Sequence, residues 1–223
     1  MSIRLVISGV ALACSMALAA AASETAPRVH LGGPFALTDQ HGTVRHDTDF
    51  RGHYMLVYFG YNWCPDVCPM SLYNITAALE QLGDQATKVQ PIYVTIDPER
   101  DTVEEMKAYA EHFHPSLVAL TGTLAQTEAV AEAYGVRYER VGEGADDYYV
   151  DHTALIYLMD PAGSFVRFFS HEAMAAEIAL GLKEAWQAGD PARGAEAIDS
   201  APSDHVGGGR RVLEPTTATG TRS

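Results

Sequence analysis

Cys64 and Cys68 stand in the run Trp63-Cys64-Pro65-Asp66-Val67-Cys68-Pro69, immediately ahead of a stretch with helical spacing. On a helical turn that separation brings the two side chains to one side. A helix N-terminus favours thiolate over thiol, so both sulfurs are expected to have lowered pKa values. Such a pair has two competing fates, a disulfide or a soft metal such as Cu(I). Two sulfurs alone are too few for tetrahedral zinc, which takes four ligands. The bland alternative, two inert buried cysteines, fits poorly with a strand-to-helix turn, which exposes thiols.

A further ligand must come from far off in sequence, and nine histidines are available. His152 stands out because Val150-Asp151-His152-Thr153 leads into an apolar run from Ala154 that reads as a strand. Two sulfurs and an imidazole suit copper in either oxidation state. Asp151 is placed to accept a ring N–H, unless strand alternation turns it away. The competing reading of His152 is a hydrogen-bonded histidine at a strand edge. His112 and His114 fit a solvated helix end, and His41, His46 and His53 lie in polar turns. His171 follows Ser170 at a helix start, and His205 lies near the C-terminus. Asp97-Pro98-Glu99-Arg100-Asp101 has two readings: a proline-containing turn with Asp101 as helix cap, or an acidic docking loop for a partner.

The elements that must position these residues follow from periodicity. Residues 35–45 read as a hairpin turning at Gln40, His41 and Gly42. Residues 54–59 are apolar throughout, as in a strand covered on both faces. Cys68, Leu72, Ile75, Leu79 and Leu82 keep helical spacing, and residues 91–96 form the next strand. Strand, helix and strand in that order imply a right-handed parallel crossover. Thr102 with Glu105, and Thr123 with Gln126, are capping boxes opening helices through Phe113 and Tyr134, with a short strand at 117–120 between them. Strands at 154–159 and 165–169 flank a turn at Asp160-Pro161-Ala162-Gly163, and Met174, Ile178, Leu182 and Trp186 mark a last helix. This βαβ unit, αβα insertion and ββα unit make an α/β, thioredoxin-like three-layer sandwich with an N-terminal hairpin.

Charge and the two ends bound the function. The 223 residues carry Lys+Arg 15 against Asp+Glu 29, a formal charge of −14. Nucleic acid and anionic membrane surfaces repel such a chain, so neither is an expected partner. Arg4 is the single charge in residues 1–22, and Leu5 opens an uncharged, mostly apolar run of 18 ending at Ala22. This reads as a secretory signal cut near Ala22. The alternatives are a retained anchor or lipidation at Cys14, where 11–14 resembles a lipobox only poorly. Export places Cys64 and Cys68 in an oxidising compartment, where they can form a disulfide. Residues 189–223 contain no aromatics, and Gly, Ala, Ser, Thr and Pro fill 21 of those 35 positions. That composition predicts a disordered tail behind a single domain over residues 23–188.

Three motifs taken together resemble one known family. Cys64-Pro-Asp-Val-Cys-Pro69, Val94-Thr-Ile-Asp-Pro-Glu-Arg-Asp101, and Val150-Asp-His-Thr153 with Asp160-Pro-Ala-Gly163 look like the Sco/SenC proteins, over residues 32–186. These are thioredoxin-fold copper proteins involved in cytochrome oxidase assembly. The resemblance implies copper ligands at Cys64, Cys68 and His152, and a redox role for the Cys64–Cys68 pair. It implies a copper metallochaperone that delivers copper to the dicopper site of a terminal oxidase. A thiol–disulfide oxidoreductase that reduces partner cysteines before metallation is the alternative. Expected partners are the oxidase's copper-site subunit and another periplasmic copper chaperone. The expected location is the periplasm, with membrane contact only if the N-terminus is retained.

Overall fold

The computed structural model describes residues 30–188 apart from 143, 145 and 146. The expected signal segment (1–22), Cys14, His205 and the tail (189–223) lie outside the described residues. A hairpin of β1 (Ala36–Asp39) and β2 (Val44–His46) comes first. Then follow β3 (Tyr54–Gly60), α1 (Val67–Leu82), β4 (Val89–Thr95), α2 (Val103–Ala110), β5 (Val118–Thr121) and α3 (Leu124–Ala133). The chain continues through β6 (Tyr138–Val141), β7 (Tyr149–His152), β8 (Leu155–Met159), β9 (Phe165–Ser170) and α4 (Ala175–Ala188).

Seven strands make one sheet in the order β2-β1-β5-β4-β3-β8-β9. β3, β4 and β5 run parallel, and β8 joins β3 antiparallel. β3 and β4 are central and almost wholly buried, which explains their unbroken apolar runs. Strand alternation sends Tyr58 and Phe59 to opposite faces. Tyr58 stacks on Tyr93, its register partner on β4, with ring centroids 6.4 Å apart. Tyr93 in turn meets Tyr109 of α2. Tyr109 packs on Phe113, and Phe113 on Tyr73 of α1, so α1 and α2 share that face. Phe59 instead packs on Tyr134, just past α3, at 5.2 Å. Helices therefore cover both faces of a thioredoxin-like sheet.

The Thr123–Gln126 capping box forms in full, while Thr102 accepts only the Glu105 N–H. Three readings need correction. α2 stops at Ala110 rather than running to Phe113: beyond it the chain tightens into turns, with the His112 N–H bonded to the Tyr109 carbonyl and the Phe113 N–H to the Ala110 carbonyl. Thr102, not Asp101, caps α2; Asp101 is turned inward and fully buried. The approach to β8 is not one strand from Ala154: β6 and β7 form a separate two-stranded ribbon, and His152 is its last residue.

Candidate metal centre

β3 ends at Gly60, and the chain turns through Tyr61, Asn62 and Trp63 into α1. Gly60 is required by a close approach, since a Cβ there would meet Cys68 Sγ at 2.8 Å. Cys68 is fully buried in the first turn of α1, and Cys64 is half-exposed just ahead of it. Asp66 offers the helix no side-chain cap. Cys64 Sγ serves instead, accepting the Cys68 backbone N–H at 3.5 Å. Both cysteines are free thiols in this structure.

The two sulfurs are unequal. The Cys68 thiol bonds to Cys64, and backbone N–H groups of Asp66 and Cys68 also point at it. These donors outweigh partial burial and pull Cys64 down to about 5. Cys68 moves the other way, because its hydrogen bond to Cys64 keeps the proton on Cys68, and full burial and then the neighbouring Cys64 charge also oppose a second thiolate. The expectation that both sulfurs would be acidified therefore fails for Cys68. Proximity to a helix N-terminus does not compensate for depth and a like charge.

His152 arrives from the ribbon. Val150 and His152 face one way along β7, and Tyr148, just before it, keeps the alternation: Tyr148 and Val150 are buried, while Tyr149 and Asp151 are exposed. Asp151 therefore does not support the ring. The Thr153 carbonyl does so, 3.1 Å from Nδ1. A carbonyl can only accept, so Nδ1 carries the hydrogen and Nε2 is left bare. Nε2 lies 3.6 Å from Cys68 Sγ. Tyr58 and Tyr61 set their rings edge-on to the imidazole at 6.5 and 6.1 Å. Burial holds the His152 pKa below its ordinary value, so the ring is neutral and its lone pair available.

The candidate residues are thus brought together as a contacting pair, Cys68 and His152, with Cys64 beside them. Among the described residues, no three His, Cys, Asp or Glu side chains form a ready-made metal cage. The donor set nevertheless fits a soft ion: two sulfurs, one already ionised, and an imidazole nitrogen turned inward. His112 is exposed, and His114 Nδ1 is engaged with Ser116, so neither joins this group.

The loop 97–101 was read too narrowly. Asp97 and Asp101 are both 0% exposed, which rules out an acidic surface built from these two carboxylates. Asp101 accepts the Asn62 N–H at 3.1 Å and the Thr95 hydroxyl at 2.6 Å. Burial pushes its carboxyl up to about 7. Asp97 pairs with Arg100 at 2.5 Å and accepts the Tyr148 hydroxyl at 2.7 Å. Tyr148 went unnoticed in the sequence; its alternation with Val150 and His152 was the available signal.

A family model described as SCO1/SenC matches residues 23–187. The chain belongs to the SCO1/SenC family. An SCO2-like protein of Rickettsia prowazekii is 40% identical over 153 residues, 68% of this chain and 75% of that one. The mitochondrial SCO1 homolog of Homo sapiens is 41% identical over 155 residues, 68% of this chain but 52% of the human protein. This chain therefore corresponds to only about half the length of the human relative. Among solved structures, ScoI of Bradyrhizobium japonicum with copper bound is 45% identical, with a TM-score of 0.65. That match covers 69% of this chain and 98% of the other. Sco-family membership and the thioredoxin-like layout agree with the motif-based expectation. Among the described residues no helix is long and apolar enough to cross a membrane.

Proposed function

We propose that this SCO1/SenC chain is a copper metallochaperone that holds the ion at Cys64, Cys68 and His152 and passes it to the dicopper site of a terminal cytochrome oxidase. One observation carries the reading: the bare Nε2 of His152 lies 3.6 Å from Cys68 Sγ, its tautomer set by the Thr153 carbonyl. A neutral imidazole aimed at a buried sulfur is more than disulfide exchange requires. Loading costs few protons. Cys64 is ionised above a pH of about 5 and His152 is neutral, so Cys68 has the remaining sulfur proton to lose. Family membership and the copper-bound Bradyrhizobium relative support the choice of metal.

The rest of the proposal follows the sequence. Residues 1–22 direct export to the periplasm, and residues 23–188 are the copper-binding domain. The partners are the oxidase's copper-site subunit and a second periplasmic copper chaperone. Residues 189–223 are dispensable, so truncation after Ala188 leaves copper affinity and Tm unchanged. A large loss of either would refute that domain boundary.

A second reading has its own support. Cys64 is an ionised, half-exposed thiol backed by a buried partner, the asymmetry that thiol–disulfide exchange uses. His152→Ala separates the two roles. In titrations of the reduced protein it weakens Cu(II) binding strongly and Cu(I) binding less, because two sulfurs still hold Cu(I). Disulfide exchange continues. Cells carrying only His152→Ala lose oxidase activity under limiting copper, and added copper partly restores it. Near-normal oxidase activity without added copper would favour the reductase reading.

A further inference from the structure

The loop 97–101 faces two ways. Towards the cysteine turn, Asp101 holds the Asn62 N–H, two residues before Cys64. Towards the ribbon, Asp97 Oδ1 accepts the Tyr148 hydroxyl, and Asp97 Oδ2 accepts the Arg100 Nε–H. Arg100 links the two sides. Its Nη1 donates to the Tyr148 carbonyl at 3.2 Å, and its guanidinium lies 3.6 Å from the centre of the Tyr148 ring. The Tyr61 and Trp63 rings, from the cysteine turn, stand 5.8 and 6.0 Å from the same guanidinium. From β6, Arg140 pairs with Glu99, reaches Asp97 at 3.5 Å and lies 4.8 Å from the Tyr148 ring centre.

The ribbon needs such a fastening. It forms its own two-stranded sheet, and isolated two-stranded ribbons are marginal in water. Its base is closed by Arg137 and Thr153, which exchange hydrogen bonds just outside β6 and β7. Among the described residues, polar links between the ribbon and the loop run through Tyr148 and Arg140. Tyr148 immediately precedes β7 and is buried in alternation with Val150, four residues before His152, so a displaced Tyr148 displaces the imidazole. A buried ion pair such as Asp97–Arg100 contributes little net stability, but it constrains the geometry of both partners.

We propose that Asp97 and Arg100 are positioning residues for His152, clasping the ribbon to the cysteine turn through Tyr148 so that the imidazole meets Cys68 in one arrangement. The clasp deepens the copper reading above and takes its purpose from it.

Two mild variants test the clasp. Arg100→Lys keeps the charge but loses the planar fork and ring stacking, and Tyr148→Phe keeps the ring but loses the bond to Asp97. Each is made in the full chain, alone and combined with His152→Ala. One readout is Cu(II) affinity by competition. The other is the ring-nitrogen spectrum of His152 in reduced, metal-free protein. The expected result is a loss of Cu(II) affinity of about tenfold for Arg100→Lys, in the range of outer-shell ligand supports, and a smaller loss for Tyr148→Phe. Both losses vanish in the His152→Ala background, and the ring nitrogens depart from the single Nδ1–H form. Equal losses with and without His152 would overturn the clasp, as would unchanged ring spectra in both variants. If Arg100→Lys does not fold, Tyr148→Phe decides by the same criteria. If His152→Ala leaves Cu(II) affinity unchanged, the copper reading fails, while the ring spectra still decide whether Asp97 and Arg100 position the imidazole.

Discussion

The sulfur half of the site grows out of the central sheet, whereas the imidazole half hangs beside it. Cys68 is packed beneath Gly60 at the end of a strand paired on both sides, near the start of the sixteen-residue helix α1. Leu72 and Ile75, further along α1, are almost fully buried, each contributing roughly 1.5–3 kcal/mol through apolar burial. His152 ends a four-residue strand whose partner, β6, has no fully buried residue. It is located by a carbonyl, two tyrosine edges and a polar clasp. A site with one fixed half and one fastened half can close on an ion and release it by moving only the fastened half.

The largest expected effect comes from the fixed half. Cys68→Ser removes the sulfur that touches both other candidates while nearly preserving volume. Tight copper binding is lost, which titration of the reduced variant reads directly. The fold survives, because a serine hydroxyl can reach the same neighbours. Retention of full copper stoichiometry would place the ion elsewhere.

The same contrast explains what the sequence made legible. β3, α1 and the cysteine turn depend on local pattern: an unbroken apolar run, helical spacing and a proline in the first turn. The ribbon depends on none of these. β6 is Tyr-Glu-Arg-Val over residues 138–141 and almost wholly exposed, so no apolar alternation marked it as a strand. Neither a helix-capping Asp101 nor an acidic docking loop anticipates the burial of Asp97 and Asp101, because their partners lie far away in the chain: Tyr148 is 51 residues from Asp97, and Asn62 is 39 from Asp101. The inequality of the cysteines escaped for a related reason. Spacing places both on one side of a turn but carries no information about depth, and depth decides which sulfur keeps its proton.

A middle-sized effect sharpens that inequality. Thiolate is the nucleophile, so the rate of Cys64 alkylation in metal-free protein rises with pH through about 5 and is level between pH 6 and 8. Cys68 stays unreactive throughout that range, held by its hydrogen bond to Cys64, by burial and by the Cys64 charge. Cys68→Ala removes the thiol that donates to Cys64 and shifts the midpoint upward. Mass spectrometry of singly labelled protein checks both statements. Equal labelling of the two cysteines at pH 7 would show that the turn does not distinguish them.

The smallest effect concerns closing the turn on itself. A Cys64–Cys68 disulfide would enclose only a few residues, and loop-closure entropy grows with loop length, so its stabilisation is at most about 2 kcal/mol before strain. In a domain of this size that corresponds to a Tm increase of no more than roughly 8 °C. Copper acts differently. At about 1,000 times its dissociation constant it adds about 4 kcal/mol by linkage, because it binds the folded chain and draws on both halves of the site. The disulfide joins residues within the fixed half and leaves the ribbon where it was. Calorimetry of reduced, oxidised and copper-loaded protein should therefore rank the Tm values in that order. Hydrogen exchange at Val150 and His152 should slow with copper but not with the disulfide. If oxidation alone protected the ribbon amides as strongly as copper does, the two halves would be one cooperative unit, and the distinction between them would fall.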